Sequence, residues 1–183
     1  MPVDLSKILV VGVSTRALFN LEEENKIFDE QGIEAFREHQ LNNEDELLES
    51  GTAFHLVKSL LELNKIADRK IVEVVVMSRN SPETGMRVLN TIEKYKLDIT
   101  RVAFTGGEPL SPYIEAYDID LFLSKDQIDI QTIIDSNECA AASIYDPPKA
   151  FSSLDPRVKI AFDADAVLFS DESEYRYKRE GID

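Results

Sequence analysis

The sequence predicts an α/β fold, a mostly parallel sheet covered by helices on both faces. Two observations predict it. Short, nearly continuous apolar runs recur along the chain, as strands buried on both faces require. Segments with helical periodicity and helix-start signals separate them, and strand alternating with helix is the pattern of parallel strands joined by crossovers.

The elements follow in order. KILVVGVS (7–14) reads as a first buried strand. Residues 22–49 are charged and mostly helical, with Gly32 as a break, and the acidic run Glu44–Glu49 reads as a solvated helix face. Residues 53–66 place Phe54, Val57, Leu60 and Leu61 on one helical face. VEVVVMS (72–78) is a second strand. Residues 81–96 form a helix with Ser81 as N-cap, Pro82 at the first helical position and Met86, Leu89 and Ile92 as its apolar face. RVAFTGG (101–107) is a third strand running into a glycine turn, and SPYIEAY (111–117) is a short helix. IDLFLS (119–124), CAAASIY (139–145) and VKIAF (158–162) are further strands, with a helix over 125–136 between the first two. In such sheets ligands sit beyond the carboxyl ends of the strands, so the segments just after those ends are the candidate sites.

Three domains of sequence emerge. Residues 1–146 form the α/β unit. Residues 147–157, rich in proline, read as a linker. Residues 158–183 read as the start of a second, truncated copy: set beside 8–34, residues 157–183 match Ala17 with Ala166, Glu23 with Glu172, Gly32 with Gly181 and Ile33 with Ile182. Two unrelated strand–loop–helix units also give such matches by chance. If the repeat is genuine, most of the second copy lies outside these 183 residues, and an apolar face left for it to cover would favour a homo-oligomer.

Composition narrows the function. A formal net charge of -15 with no clustered Lys or Arg excludes a nucleic-acid polymer as partner. A small phosphorylated ligand is allowed, since a divalent cation bridges acidic groups to phosphate. The single cysteine, Cys139, forms no internal disulfide and fits a reducing cytoplasm. No apolar stretch approaches the ~20 residues of a membrane span.

The segment VKIAFDADAVLFSDESE (158–174) carries the clearest chemistry. Phosphate-ester hydrolysis needs a metal to neutralise charge, an in-line nucleophile and an acid for the departing oxygen. Two carboxylates two residues apart, just past a buried strand, suit the last two tasks. Asp163 would attack and carry the phosphoryl group, and Asp165 would protonate the leaving oxygen and then activate water. A D-x-D triplet is also a common solvated turn. An EF-hand loop is excluded, because Val167 and Leu168 stand where oxygen ligands and glycine are needed.

The strand-Asp-x-Asp-x-Val-Leu pattern resembles the first motif of the haloacid dehalogenase-like phosphohydrolases. The longer FDADAVLFSDESE block, with STRALF, EQGIEAF and TGG, resembles the cytosolic 5'-nucleotidase type I family along essentially the whole chain. The resemblance implies a haloacid dehalogenase-like fold and Mg²⁺-dependent hydrolysis of nucleoside 5'-monophosphates. It places the nucleophile and acid/base on Asp163 and Asp165, with Mg²⁺ held beside them. The superfamily's later motifs are expected beyond this point.

In the first unit, Ser14 and Arg16 take the positions of Asp163 and Asp165. A hydroxyl and a guanidinium form no acyl phosphate and hold no Mg²⁺, so no catalysis is expected there. Ser14, Thr15, Arg16, Ser78, Arg79, Thr105 and Gly106 form a candidate metal-free anion pocket. The same residues also read as helix caps and turns. Two other readings therefore stand beside the nucleotidase: a non-catalytic phospho-ligand-binding module, and a broader Mg²⁺-dependent phosphatase acting on sugar phosphates.

Overall fold

The computed structural model describes residues 5–146, 160–162, 170 and 172–181. Asp163, Asp165 and the 147–157 linker lie outside the described residues. The described strands form one sheet: β1 (Leu9–Ser14), β2 (Val72–Ser78), β3 (Arg101–Phe104), β4 (Leu121–Ser124) and β5 (Ala140–Ser143). Its order is β3-β2-β1-β4-β5, and every neighbouring pair is parallel. Val13 stands opposite Val76 on one side and Leu123 on the other, so the carboxyl ends of β1, β2 and β4 lie side by side. The strand order reverses between β1 and β4. The crevice outside such a reversal is where open α/β sheets take ligands.

The helices are α1 (Thr15–Leu18), α2 (Glu22–Gln31), α3 (Ile33–Asn42), α4 (Phe54–Ala67), α5 (Pro82–Lys94), α6 (Gln127–Ser136) and α7 (Glu172–Glu180). None among the described residues is long and apolar enough to cross a membrane. Alternate strand residues point to opposite faces, and both faces are covered. Val11, Val13, Val74 and Val76 join Val57 and Leu61 of α4 and Val88 and Ile92 of α5. Val10, Val75, Met77 and Phe122 join Leu110, Ile114 and Ile133 of α6. Each such side chain contributes about 1.5–3 kcal/mol on full burial, which fixes the strand ends that carry the site.

Local signals set the helix limits. Ser81 Oγ accepts the Thr84 amide at 3.3 Å, and Pro82 opens α5. Gly32, at φ 84°, ends α2 and lets α3 start in a new direction, in the left-handed region that glycine enters without strain. The expected apolar face of α5 needs correction. Met86 is exposed, and the buried face is Thr84, Gly85, Arg87, Val88, Thr91 and Ile92. Polar residues are buried there because they have partners: Thr91 Oγ1 donates to Arg87 O and accepts the Leu48 amide. The run Glu44–Glu49 is not helical either. It crosses α5 in irregular form, with Leu48 buried and the carbonyls of Glu44 and Glu46 bonded to Asn90 and Arg87.

Helices α2 and α3 are an insertion with a narrow neck. The chain leaves the core at Phe19 and returns at Ser50, and these two residues form an antiparallel bridge. Gly51 sits in this neck. Its amide donates to Leu18 O, and a Cβ there would stand 2.7 Å from both Ala17 O and the Phe19 carbonyl carbon. Those are backbone atoms and do not yield. Gly51→Ala is expected to destabilise the chain by about 3 kcal/mol, read as a lower urea midpoint at unchanged slope.

Helix α7 ends on Gly181 at φ 78°, whose amide reaches Tyr177 O at 2.9 Å, as the Gly32 amide reaches Phe28 O at 3.0 Å. In the register set out above, Gly181 falls on Gly32 and Tyr177 on Phe28. Ile160–Phe162, expected at the end of a sixth strand, belong to no strand; Ile160 and Phe162 are 56% and 63% exposed. A strand persists only where a neighbour takes its amides and carbonyls, and the described residues offer it none.

Candidate functional site

A cleft of about 610 Å³ opens where the carboxyl ends of β1, β2 and β4 meet the α2–α3 insertion. That size suits a small organic ligand. Six of the seven residues expected to form a pocket line it: Ser14, Thr15, Arg16, Ser78, Arg79 and Gly106. They come together because each follows a strand end in a parallel sheet. Thr105 does not join them. Its hydroxyl donates to Glu108 O at 2.6 Å and its amide to Ser78 O at 3.0 Å, so it closes the glycine turn.

The strand-end hydroxyls are tied into the fold as acceptors. Ser14 Oγ caps α1 by accepting the Ala17 amide at 3.3 Å. Ser78 Oγ accepts from Thr15 Oγ1 at 3.1 Å and from the Asn80 amide at 3.2 Å. Both serines are more than nine-tenths buried. Neither hydroxyl donates its own proton to any acceptor among the described residues. Two further donors on the cleft lining, Asn80 Nδ2 and Arg16 Nε, are buried without a partner among the described residues.

The guanidinium groups are already paired. Arg79 is bonded to Asp129 of α6, and Arg16 donates to Glu22 Oε2 at 2.9 Å. Burial pushes the Asp129 carboxyl up from its ordinary range, against the opposing pull of Arg79. Asp126 caps α6 by accepting the Ile128 and Asp129 amides at 2.9 and 3.0 Å. Asp129 was not singled out from sequence. The signal available was its place three residues after a strand-end Asp, on the first turn of a helix.

Glu22 links the cleft rim to the end of the sheet. The hydrogen bond from Arg16, then that from Lys125, holds its carboxyl below the ordinary 4.5. Lys125 Nζ also bonds Asp146 Oδ1 at 3.1 Å. A carboxyl with a depressed folded pKa adds stability above its unfolded value and loses it as pH falls through the folded value. Glu22→Gln should therefore flatten the acid limb of the stability curve below pH 4.5. Its effect at neutral pH should be about 1 kcal/mol or less, because the pair is half exposed. Unfolding midpoints measured across pH check both parts.

On the cleft lining Asp129 is bonded to a guanidinium and Asp126 Oδ1 accepts two helix amides, and no group of three His, Cys, Asp or Glu able to hold a metal comes together among the described residues. The α2–α3 side of the cleft carries an apolar patch among polar residues: Phe28 and Phe36 meet edge-on with ring centroids 5.9 Å apart, beside Ile33.

A family model described as 5'-nucleotidase matches residues 1–183. The chain is 35% identical over 181 residues to cytosolic 5'-nucleotidase 1B of Homo sapiens, which covers 96% of this chain and 30% of that protein. It thus spans under a third of that relative's length. Solved structures of the HAD domain of the effector protein Lem4 of Legionella pneumophila, one of them an inactive mutant, align over 80% of this chain and 90% and 89% of theirs. Their TM-score is 0.45 and their identity 12%.

Proposed function

Because the chain belongs to the 5'-nucleotidase family, we propose that it serves the hydrolysis of nucleoside 5'-monophosphates to nucleoside and phosphate. The observation that carries this reading is the family match across all 183 residues, with the FDADAVLFSDESE block inside it. The chemistry is assigned to Asp163 and Asp165. The Asp163 carboxylate attacks phosphorus, and the bond to the nucleoside oxygen breaks as Asp165 supplies a proton to it. Water then attacks the acyl phosphate, giving up its proton to Asp165, and releases phosphate and free Asp163. Asp163 and Asp165 would hold Mg²⁺, which when bound would neutralise phosphate charge. The first unit supports this division of labour, since Ser14 ends β1, Arg16 follows in α1, and neither forms an acyl phosphate. The same reading assigns the protein to the cytoplasm, with nucleoside monophosphates as its small-molecule partners.

The test is phosphate release by the complete reading frame that encodes these residues, from AMP, IMP and sugar phosphates at equal concentration with Mg²⁺. Nucleotides should be preferred at least about tenfold in kcat/KM, since a ring-binding contact discriminates by that order. Equal rates would replace the nucleotidase with a general phosphatase, and no release from any substrate would remove the enzyme reading.

A further inference from the structure

We propose that the first-unit cleft is a second, non-catalytic ligand site that takes the phosphate of a nucleoside monophosphate without a metal. This goes beyond the assignment of Asp163 and does not depend on it.

The argument starts from the unused hydrogen-bonding capacity of the lining. Ser14 and Ser78 each accept bonds and donate none among the described residues. Asn80 Nδ2 and Arg16 Nε are donors buried without a partner among them. All four are donors, and buried donors left unmet cost about 1–3 kcal/mol each. They share one region, because Ser14 lies opposite Met77 in the β1–β2 register and Ser78 and Asn80 follow it directly. A group with acceptors only, such as a phosphate, is the kind of ligand that matches a lining whose spare groups are donors.

The carboxylates nearby do not oppose this. Of the five carboxylates on the lining, Asp129 pairs with Arg79, Asp126 Oδ1 accepts two helix amides, and Glu83 and Glu24 pair with Arg37 and Arg87, which leaves Glu34, exposed to solvent where its charge is screened. The Arg79–Asp129 pair is neutral overall, so the phosphate is held through hydrogen bonds from the spare donors of the lining. The aromatic patch on the α2–α3 side suits the second half of the ligand. Phe28 lines the cleft yet keeps 47% of its surface exposed, and Phe36 stands edge-on to it. A planar base covers such a ring at a gain of about 1–3 kcal/mol. A phosphate joined to a flat ring system therefore matches both sides. Hydrolysis does not follow, since the residue at the end of β1 is Ser14 and no base is bonded to it among the described residues.

The experiment uses the Asp163→Asn chain in EDTA, titrated separately with AMP, inorganic phosphate and adenosine. Binding is read by calorimetry and by NMR shifts of the Ser14, Ser78 and Asn80 amides. AMP should bind more tightly than either fragment and shift all three amides. Ser78→Asp should weaken both AMP and phosphate roughly ten- to a hundredfold, while Phe28→Ala weakens AMP and leaves phosphate unchanged. Asn80→Leu repeats the first effect if Ser78→Asp fails to fold, as judged by its thermal unfolding. Equal affinity for AMP and adenosine, loss of binding in EDTA, or indifference to the substitution at position 78 or 80 would each overturn the proposal. Failure of the hydrolysis assay leaves these outcomes untouched, so the two readings fail separately.

Discussion

Asp163→Asn is expected to lower phosphate release from AMP by at least about a thousandfold in the complete reading frame. An amide has no anionic oxygen with which to attack phosphorus, so the first bond-forming step is lost and not merely slowed by poorer binding. KM should change little beside kcat. Asp165→Asn should behave differently. The nucleophile remains, but the leaving oxygen gains no proton and water meets no base, which costs about 10²–10⁴ in rate. Steady-state phosphate release from both variants, at matched unfolding midpoints, checks the contrast. Equal and small losses would remove both residues from the chemistry.

Arg87→Met is expected to destabilise the chain by about 3–5 kcal/mol, the usual consequence of breaking a buried ion pair. Arg87, Glu24 and Gln40 are all buried. Arg87 donates to Glu24 Oε1 at 2.6 Å, to Gln40 Oε1 at 3.3 Å and to Glu46 O at 2.8 Å. These bonds fasten both insertion helices, α2 and α3, to α5. Methionine keeps much of the volume but leaves the Glu24 carboxylate with His39 Nε2, at 3.7 Å, in place of the guanidinium. Adding Glu24→Gln removes that charge and should recover a large part of the loss. Urea unfolding of the two single variants and the double variant reads the coupling directly. A loss below about 1 kcal/mol for Arg87→Met would mean that the insertion is held by other contacts. Because Phe28 and Phe36 sit on these helices, the same variant should also weaken AMP in the first-unit cleft.

Much of the fold is legible in the chain because it rests on local rules. The β-branched runs at 9–14 and 72–78 form the two longest described strands, paired at the middle of the sheet. Ser81-Pro82 opened α5, Gly32 broke the insertion, and Phe54, Val57, Leu60 and Leu61 form the buried face of α4. Buried polar pairings are the least legible part. Apolar character alone puts Met86 on the inner face of α5, where Arg87 stands instead. Arg87 is buried only since Glu24, distant in sequence, comes to meet it. Asp129 likewise owes its environment to Arg79 on another strand end. The irregular path of Glu44–Glu49 depends on Asn90 and Arg87 of α5. Pairings across the fold leave no periodicity in the sequence. The cleft was legible to a greater degree, because strand ends in a parallel sheet converge whatever the residues on them. What those residues have left to offer a ligand was not, since it depends on which of their bonds the fold already uses.

The most direct measurement is the position of the phosphoryl group during turnover. Asp165→Asn protein mixed with labelled AMP and quenched in acid should carry label on the peptide containing Asp163, sensitive to hydroxylamine as an acyl phosphate is, and Asp163→Asn protein should carry none. Label on a different residue, or rapid turnover with no labelled peptide at any time, would contradict the account.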